Sequence, residues 1–227
     1  VRVSARAGPA ALAGFDTVLL ATGVTPRVPE IPGIDHPKVV GYLDVLTGRK
    51  PVGKSVAIIG AGGIGFDIAE LLTHEDAAAD PIESYQREWG IDPAFRHPGG
   101  LAPAAPCANG RRVWLLQRKP TKVGDGLAKT TGWIKRGILV RRGVQMLSGV
   151  GYLRIDDRGL HVSVDGAERC LEVDSVVICA GQESLRDLEA PLRESGQHLI
   201  RIGGADVAGE LDAKRAIDQG IRVAAAL

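Results

Sequence analysis

Residues 55–72 read SVAIIGAGGIGFDIAELL, and their interpretation decides the fold. Ser55 to Ile59 is a short apolar run rich in β-branched residues, which predicts a buried strand. Ile64 to Leu72 places apolar residues at helical spacing. Between them Gly60-Ala61-Gly62-Gly63-Ile64-Gly65 fits GxGxxG, with the strand running straight in and the helix straight out. Gly60 permits the tight turn, Gly62 lets backbone approach a pyrophosphate, and Gly65 lets helix and strand pack closely. Free N–H groups from Gly63 onward, at the positive end of the helix dipole, then face the anion. A Gly-rich turn alone carries little; this context predicts a dinucleotide-binding unit rather than a merely structural strand–turn–helix.

The tip of the second strand selects the cofactor in such units. An acidic residue there reads the ribose hydroxyls of NAD, and an Arg accommodates the extra phosphate of NADP. Here that strand, Arg112 to Gln117, is displaced by an irregular stretch from Thr73 to Gly110. Such a length predicts a functional insertion or a partly disordered segment. The strand ends Leu116-Gln117-Arg118-Lys119, without a carboxylate at its tip. Arg118 can grip a 2′-phosphate with its fork and Lys119 can add a point charge, which predicts NADPH. In isolation, two basic residues at a strand end would read as solvated surface.

Working outward, Phe15 to Ala21 predicts a strand stopped by Thr22-Gly23, and Pro26 to Pro37 an extended linker. Val39 to Leu46 holds a short strand and a helical turn. Leu127 to Arg142 reads as a helix and Val144 to Leu147 as a strand. Val150 to Val173 reads as a β-meander, with turns at Asp156-Asp157-Arg158-Gly159 and Asp165-Gly166. Asp174 to Ala180 is an apolar strand stopped by Gly181. A strand at Leu199 to Ile202, Gly203-Gly204 and a helix from Val207 to Ala225 complete the chain. DTVLLATG (Asp16 to Gly23) and DSVVICAG (Asp174 to Gly181) echo each other.

Composition narrows the class. The 227 residues carry 28 Lys+Arg against 27 Asp+Glu, so net charge supplies no pull toward nucleic acid or acidic membranes. No apolar run nears the ~20 residues of a spanning helix, and residues 1–13 lack the apolar core of a signal peptide. Cys107, Cys170 and Cys179 lie too far apart for a CxxC knot or disulfide framework, which predicts a reducing, cytoplasmic setting. The only Met is Met146, so a fragment or processed piece is expected.

Other candidates have plain alternatives. Asp67 is expected on the first turn of the helix after the glycines, where it favours the dipole or lies near a nicotinamide. Asp206, in Gly203-Gly204-Ala205-Asp206, can accept hydrogen bonds from a sugar or ribitol hydroxyl, although an N-cap is the simpler reading. Gly126 to Thr130 only mimics the end of a P-loop. The five histidines show no metal spacing, and no GxSxG elbow supports a hydrolase.

Two Asp…Gly strand endings bracketing GxGxxG, with a late Gly-Asp-like turn before a helix, resemble flavoproteins with two dinucleotide-binding domains. The strings GIDHPKVVGYLDVL (Gly33 to Leu46), VAIIGAGGIGFDIAELL (Val56 to Leu72), EWGID (Glu88 to Asp92), LLQRK (Leu115 to Lys119), GLAKTTGWIKR (Gly126 to Arg136), VVICAGQE (Val176 to Glu183) and IGGADVAGELDAKRAIDQG (Ile202 to Gly220) narrow the resemblance. Together they look like the carboxy-terminal part of the bacterial NADPH-dependent 2,4-dienoyl-CoA reductases. The resemblance implies an α/β architecture. A Rossmann-like NADPH domain with a β-meander (47–181) is inserted in a truncated FAD-binding Rossmann-like domain (1–46 and 182–227). It implies that Gly60, Gly62, Gly63 and Gly65 hold the NADPH pyrophosphate and that Arg118 and Lys119 hold the 2′-phosphate. Thr22 and Gly23, Ala180 and Gly181, and Gly204 and Asp206 fall on the flavin side, forming a partial FAD site.

In that family an amino-terminal barrel carries FMN, the catalytic residues and the thioester site, and a four-iron cluster joins it to the FAD and NADPH domains. The implied partners are the nucleotide cofactors and that barrel and iron–sulfur segment, which these residues do not include. The expected role is the electron-input portion of a dienoyl-CoA reductase of fatty-acid β-oxidation, holding no catalytic residue and no metal. The alternatives are an enoate reductase of the same group, or an inactive fragment that only binds nucleotide.

Overall fold

The computed structural model describes residues 1, 3–74, 81–105, 110–209 and 212–227. The chain divides into two compact units. A split unit comprises Val1–Arg27 and Gly181–Leu227, and a continuous unit comprises Val28–Ala180. In chain order, the split unit contributes α1 (Pro9–Leu12), β1 (Thr17–Leu20) and β2 (Val24–Pro26). The continuous unit contributes β3 (Val39–Gly41), α2 (Tyr42–Leu46), β4 (Ser55–Ile59), α3 (Gly63–Thr73), α4 (Pro81–Trp89) and β5 (Arg112–Leu116). It continues with α5 (Gly132–Arg141), β6 (Gln145–Leu147), β7 (Gly151–Asp156), β8 (Gly159–Val164), β9 (Ala167–Leu171) and β10 (Ser175–Ile178). The split unit resumes with β11 (Gln182–Ser184), α6 (Glu189–Glu194), β12 (His198–Arg201) and α7 (Ala213–Ala225).

The continuous unit is built on a parallel sheet in the order β3-β10-β4-β5-β6. Its central strands are apolar at successive positions because both faces are covered. Val56 and Ile58 join Phe66, Ile68, Leu72, Val113, Leu115 and Leu139 in one core, on the side of α3 and α5. Ala57 and Ile59 join Trp114, Leu116, Leu160, Val162, Val176 and Ile178 in a second core, under the three-stranded meander β7-β8-β9. Alternation along β4 thus sorts one continuous apolar run into two layers.

Residues 28–46 correct the expected boundary. They belong to the continuous unit, because β3 pairs with β10 in that sheet and Ile31 is buried beneath the meander. The Pro-rich stretch is anchored as well: Ile155 N donates to Pro32 O at 2.8 Å. A Cβ on Gly33 would stand 2.1 Å from Ile155 O, so only glycine fits there.

Two helices start later than their sequence patterns suggest. Leu127 to Thr131 forms turns, with Gly132 N donating to Ala128 O at 2.7 Å, and α5 begins at Gly132. The last helix begins at Ala213 rather than near Val207. Asp212 is its N-cap and accepts from Arg215 N at 2.7 Å.

The stretch between α3 and β5 is ordered where described. Glu88 at the end of α4 accepts from Arg142 Nε at 2.8 Å and Nη2 at 3.2 Å. The two side chains are only 10% and 6% exposed. Arg141 stacks on Trp89 at 4.2 Å from the ring centroid. Beyond α4, the buried Asp92 accepts from Ala94 N at 3.1 Å and His97 N at 3.0 Å, and its Oδ2 lies 2.9 Å from His97 Nδ1. These bonds, the His97 side chain first among them, hold the Asp92 carboxyl at about 2.

In the split unit, β1 pairs in parallel with β12 and β2 pairs antiparallel with β11. Glu189 on α6 meets Arg193 at 3.0 Å and Arg201 at 3.1 Å.

Two outcomes follow from the anchored insertion. Replacing Arg142 by Ala leaves Glu88 buried and uncompensated, and should cost about 3 kcal/mol in a urea titration, against a smaller loss for Arg142→Lys. The Asp92 contribution should be fully present above its unfolded pKa of about 3.9 and fade as the pH falls through about 2. Amide exchange over residues 90–102 would show protection lost in that window. In His97→Ala, which removes the largest cause of the low Asp92 pKa, the loss should be smaller and be complete at a higher pH.

Candidate functional site

The four glycines of the first motif divide by what surrounds them. Gly60 has φ +109, and a Cβ there would stand 2.2 Å from Cys179 O and 3.2 Å from Ala180 Cα. A Cβ on Gly65 would lie 1.9 Å from Gly60 O. Packing alone therefore requires these two. Gly62 and Gly63 are different: both are exposed, and a Cβ on either would meet nothing within 4 Å. The N-cap Gly62 has an extended backbone and no side-chain cap. The first turn of α3 thus opens onto bare backbone that an anion can approach. It lies at the carboxyl ends of β4 and its neighbours β5 and β10. There β5-β6 runs to one side and β10-β3 to the other, the switch point where α/β sheets bind ligands.

Arg118 and Lys119 stand one strand away, immediately after β5, and both are exposed. Beneath them, Tyr152 donates from its hydroxyl to Leu116 O at 3.3 Å. Burial pushes the Tyr152 phenol above its ordinary range, against the opposing charge of nearby Arg118. The side chain of Gln117 turns into its own loop, donating to Lys119 O and Thr121 O at 3.0 Å each. Sequence reasoning passed over both Gln117 and Tyr152. The cue for Gln117 was its place at the strand tip, whereas Tyr152 arrives from the meander and only the fold brings it there.

One expectation changes, at Asp67. Asp67 is on the second turn of α3, whose first turn holds no acid, and it pairs with Lys135 of α5. Trp133 is exposed and donates from Nε1 to Thr130 O at 3.1 Å. Cys179 is buried and its thiol is pushed up to about 12, while burial also raises Cys170. Neither is a thiolate at neutral pH. Cys107 lies outside the described residues. Among the described residues no group of three metal-ligating side chains gathers.

The remaining candidates, Ala180 apart, lie in the split unit. The Thr22 hydroxyl donates to Leu185 O, and Leu185 N donates back to Gly23 O at 3.0 Å. Gly23 and Gly181 adopt φ +79 and +101, and Arg27 N donates to Gly181 O at 3.1 Å. Gly203, Gly204 and Ala205 form a buried 3-10 turn. Asp206 closes that turn as its C-cap and is not the N-cap of α7, which is Asp212. Instead its Oδ2 accepts from Gln219 Nε2 at 2.8 Å, and Gln219 Oε1 accepts from Gly203 N at 2.7 Å. Arg201 Nε lies 3.7 Å from Asp206 Oδ1. The candidates therefore form two groups. Gly60, Gly62, Gly63, Gly65, Ala180, Arg118 and Lys119 are in the continuous unit. Thr22, Gly23, Gly181, Gly204 and Asp206 are in the split unit.

The glycine geometry separates folding from binding. Gly65→Ala should lower unfolding free energy by about 3 kcal/mol, as overpacking against backbone does. Gly62→Ala should keep the wild-type melting temperature and weaken nucleotide binding, read by calorimetric titration.

Comparison with known proteins agrees with this architecture. The chain is 26% identical over 194 residues to a metal reductase of Desulforamulus reducens, covering 84% of this chain and 28% of that protein. It is 26% identical over 193 residues to a cinnamate reductase of Clostridium sporogenes, covering 85% and 24%. The chain thus spans about a quarter of the length of these relatives. A solved 2-naphthoyl-CoA reductase, in complex with 2-naphthoyl-CoA, superposes with a TM-score of 0.69 at 21% identity, over 94% of this chain and 27% of that one. No described helix is long and apolar enough to cross a membrane. The family model for pyridine nucleotide-disulphide oxidoreductases matches residues 3–215, which takes in most of both units. The chain belongs to that family of flavin-linked oxidoreductases, whose members bind FAD and NAD(P)H.

Proposed function

We propose that this chain is the NADPH-binding, electron-input portion of a flavin-dependent oxidoreductase that reduces 2,4-dienoyl-CoA thioesters. The observation that carries the nucleotide part of this reading is one juxtaposition. Backbone left open at Gly62 and Gly63 lies one strand from a tip that bears Arg118 and Lys119 and lacks a carboxylate.

The N–H groups of the first turn of α3 would take the pyrophosphate, with the helix dipole adding to them. The Arg118 guanidinium would take the 2′-phosphate through two parallel hydrogen bonds, and Lys119 would contribute charge. Bound NADPH supplies a hydride for the flavin. On the flavin side, Asp206 would accept from a polyol hydroxyl, with its carboxylate already oriented by Gln219 and Arg201. Thr22, Gly23, Gly181 and Gly204 would offer close-approaching backbone. FMN, the four-iron cluster and the thioester site are assigned to a part of the enzyme outside these residues. Cys170 and Cys179, protonated at neutral pH, have no role in this reading as a redox pair.

The substrate class rests on the family resemblance of the seven strings quoted above. A second reading, an NADPH-dependent reductase of other conjugated double bonds, is favoured by the likeness to a cinnamate reductase. The two differ in the substrate whose addition oxidises NADPH in the complete enzyme.

Calorimetric titration should show NADPH binding more tightly than NADH. Arg118→Ala removes a charge-assisted contact worth roughly 1.5–3 kcal/mol, so NADPH should weaken by about tenfold or more with NADH unchanged. Equal affinities in the wild type, or a ratio insensitive to Arg118→Ala, would exclude the cofactor assignment.

A further inference from the structure

Gln117 occupies the strand-tip position from which an acidic side chain reads ribose hydroxyls in NAD sites. Here it does something else. Its Nε2 reaches Lys119 O and Thr121 O at 3.0 Å each and Thr121 Oγ1 at 3.1 Å. The amide has two hydrogens, so these acceptors saturate it. Its backbone is held on both sides, donating to Leu147 O at 2.8 Å and accepting from Val150 N at 3.0 Å. Lys119 O accepts a second hydrogen bond from Gly149 N at 3.2 Å. The turn from Gln117 to Thr121 is therefore closed by its own first side chain and pinned to the segment between β6 and β7. Arg118 and Lys119 are carried on it with their side chains exposed.

From this geometry we propose that Gln117 is a positioning residue that sets the preference for a 2′-phosphorylated nucleotide by holding rigid the turn that presents Arg118 and Lys119. The inference rests on the cofactor reading above. Its physical basis is preorganisation: a turn fixed before binding loses less conformational entropy when its cations engage the phosphate. Chemistry also makes glutamine the required residue. A carboxylate at 117 would face the carbonyls of Lys119 and Thr121, which are acceptors only, and of the three present partners the Thr121 hydroxyl alone could donate to it. A glutamate would swing out of the loop, free the turn, and place a negative charge beside Arg118 where the 2′-phosphate would lie.

The test titrates the chain with 2′,5′-ADP and 5′-AMP, the half-ligands that differ only in the 2′-phosphate. In the wild type 2′,5′-ADP should bind more tightly. Gln117→Ala should reduce that preference by about three- to tenfold, the entropy of one to two freed side chains, with 5′-AMP affinity held within about twofold. Gln117→Glu, which conserves volume, should abolish the preference. Thr121→Ala, which removes one acceptor of the three, should reduce it less than Gln117→Ala. The proposal is overturned if Gln117→Ala and Gln117→Glu keep the wild-type ratio. It is also overturned if they weaken both ligands equally alongside a fall in melting temperature, the signature of a merely structural role. A wild type with no preference, or one whose preference survives Arg118→Ala, would instead remove the cofactor reading and this inference with it. Loss of preference in Arg118→Ala combined with its retention in both Gln117 variants would remove only the inference.

Discussion

The continuous unit depends on one close approach, that of α3 to the turn at the end of β4. At Gly65 the helix passes so near the carbonyl of Gly60 that a single Cβ would collide with it. At Gly60 the chain bends with positive φ against the carbonyl of Cys179 on the neighbouring strand. Together these contacts set the angle at which α3 leaves the sheet, and hence where Phe66, Ile68 and Leu72 enter the core. They also determine where the first turn of α3 points, leaving Gly62 and Gly63 as bare, uncapped backbone at the switch point of the sheet. One packing constraint thereby builds the scaffold and leaves the first turn of α3 open.

Within each unit, polar groups are held by neighbours rather than left to solvent. Gln117 closes the turn that carries Arg118, and Gln219 bridges Gly203 and Asp206 in the split unit. In both places a primary amide binds backbone without adding net charge, and Gln219 also donates to a carboxylate. Arg201 and Glu189 extend the second network to α6 and β12. Such fully partnered clusters are stiff, and stiffness near a ligand lowers the entropy lost on binding.

Legibility in the sequence followed the physics of each segment. Strand β4 and helix α3 were readable because apolar runs and helical spacing there coincide with a glycine pattern. The meander was readable from its two turns. The start of α5 was misjudged because Leu127 and Ala128 suit a helix locally, yet they fold back as a turn that seats Leu127 against Gly132. The start of α7 was misjudged for a related reason: Val207 and Ala208 are compatible with a helix, but Asp212 supplies the cap and Asp206 is committed to Gln219. Residues 28–46 were placed with the wrong unit because a three-residue strand carries no mark of the sheet it will join. The pairing of Glu88 with Arg142 spans 54 positions and leaves no local trace.

By itself, the sequence determined the fold class, the glycine-rich strand–turn–helix and the basic strand tip. All three arise from short-range rules: periodicity, the need for glycine where backbone must turn sharply or approach closely, and the chemistry of residues a fixed step beyond a strand. Only the tertiary structure decided which glycines are required by packing and which stay open. It also decided that Asp206 is a held carboxylate rather than the N-cap of a helix, and that Cys179 is sealed in the core. Those outcomes depend on what arrives from distant parts of the chain. A side chain's neighbours, and hence its charge state and freedom, exist only once the sheet, the meander and the helices have closed around it.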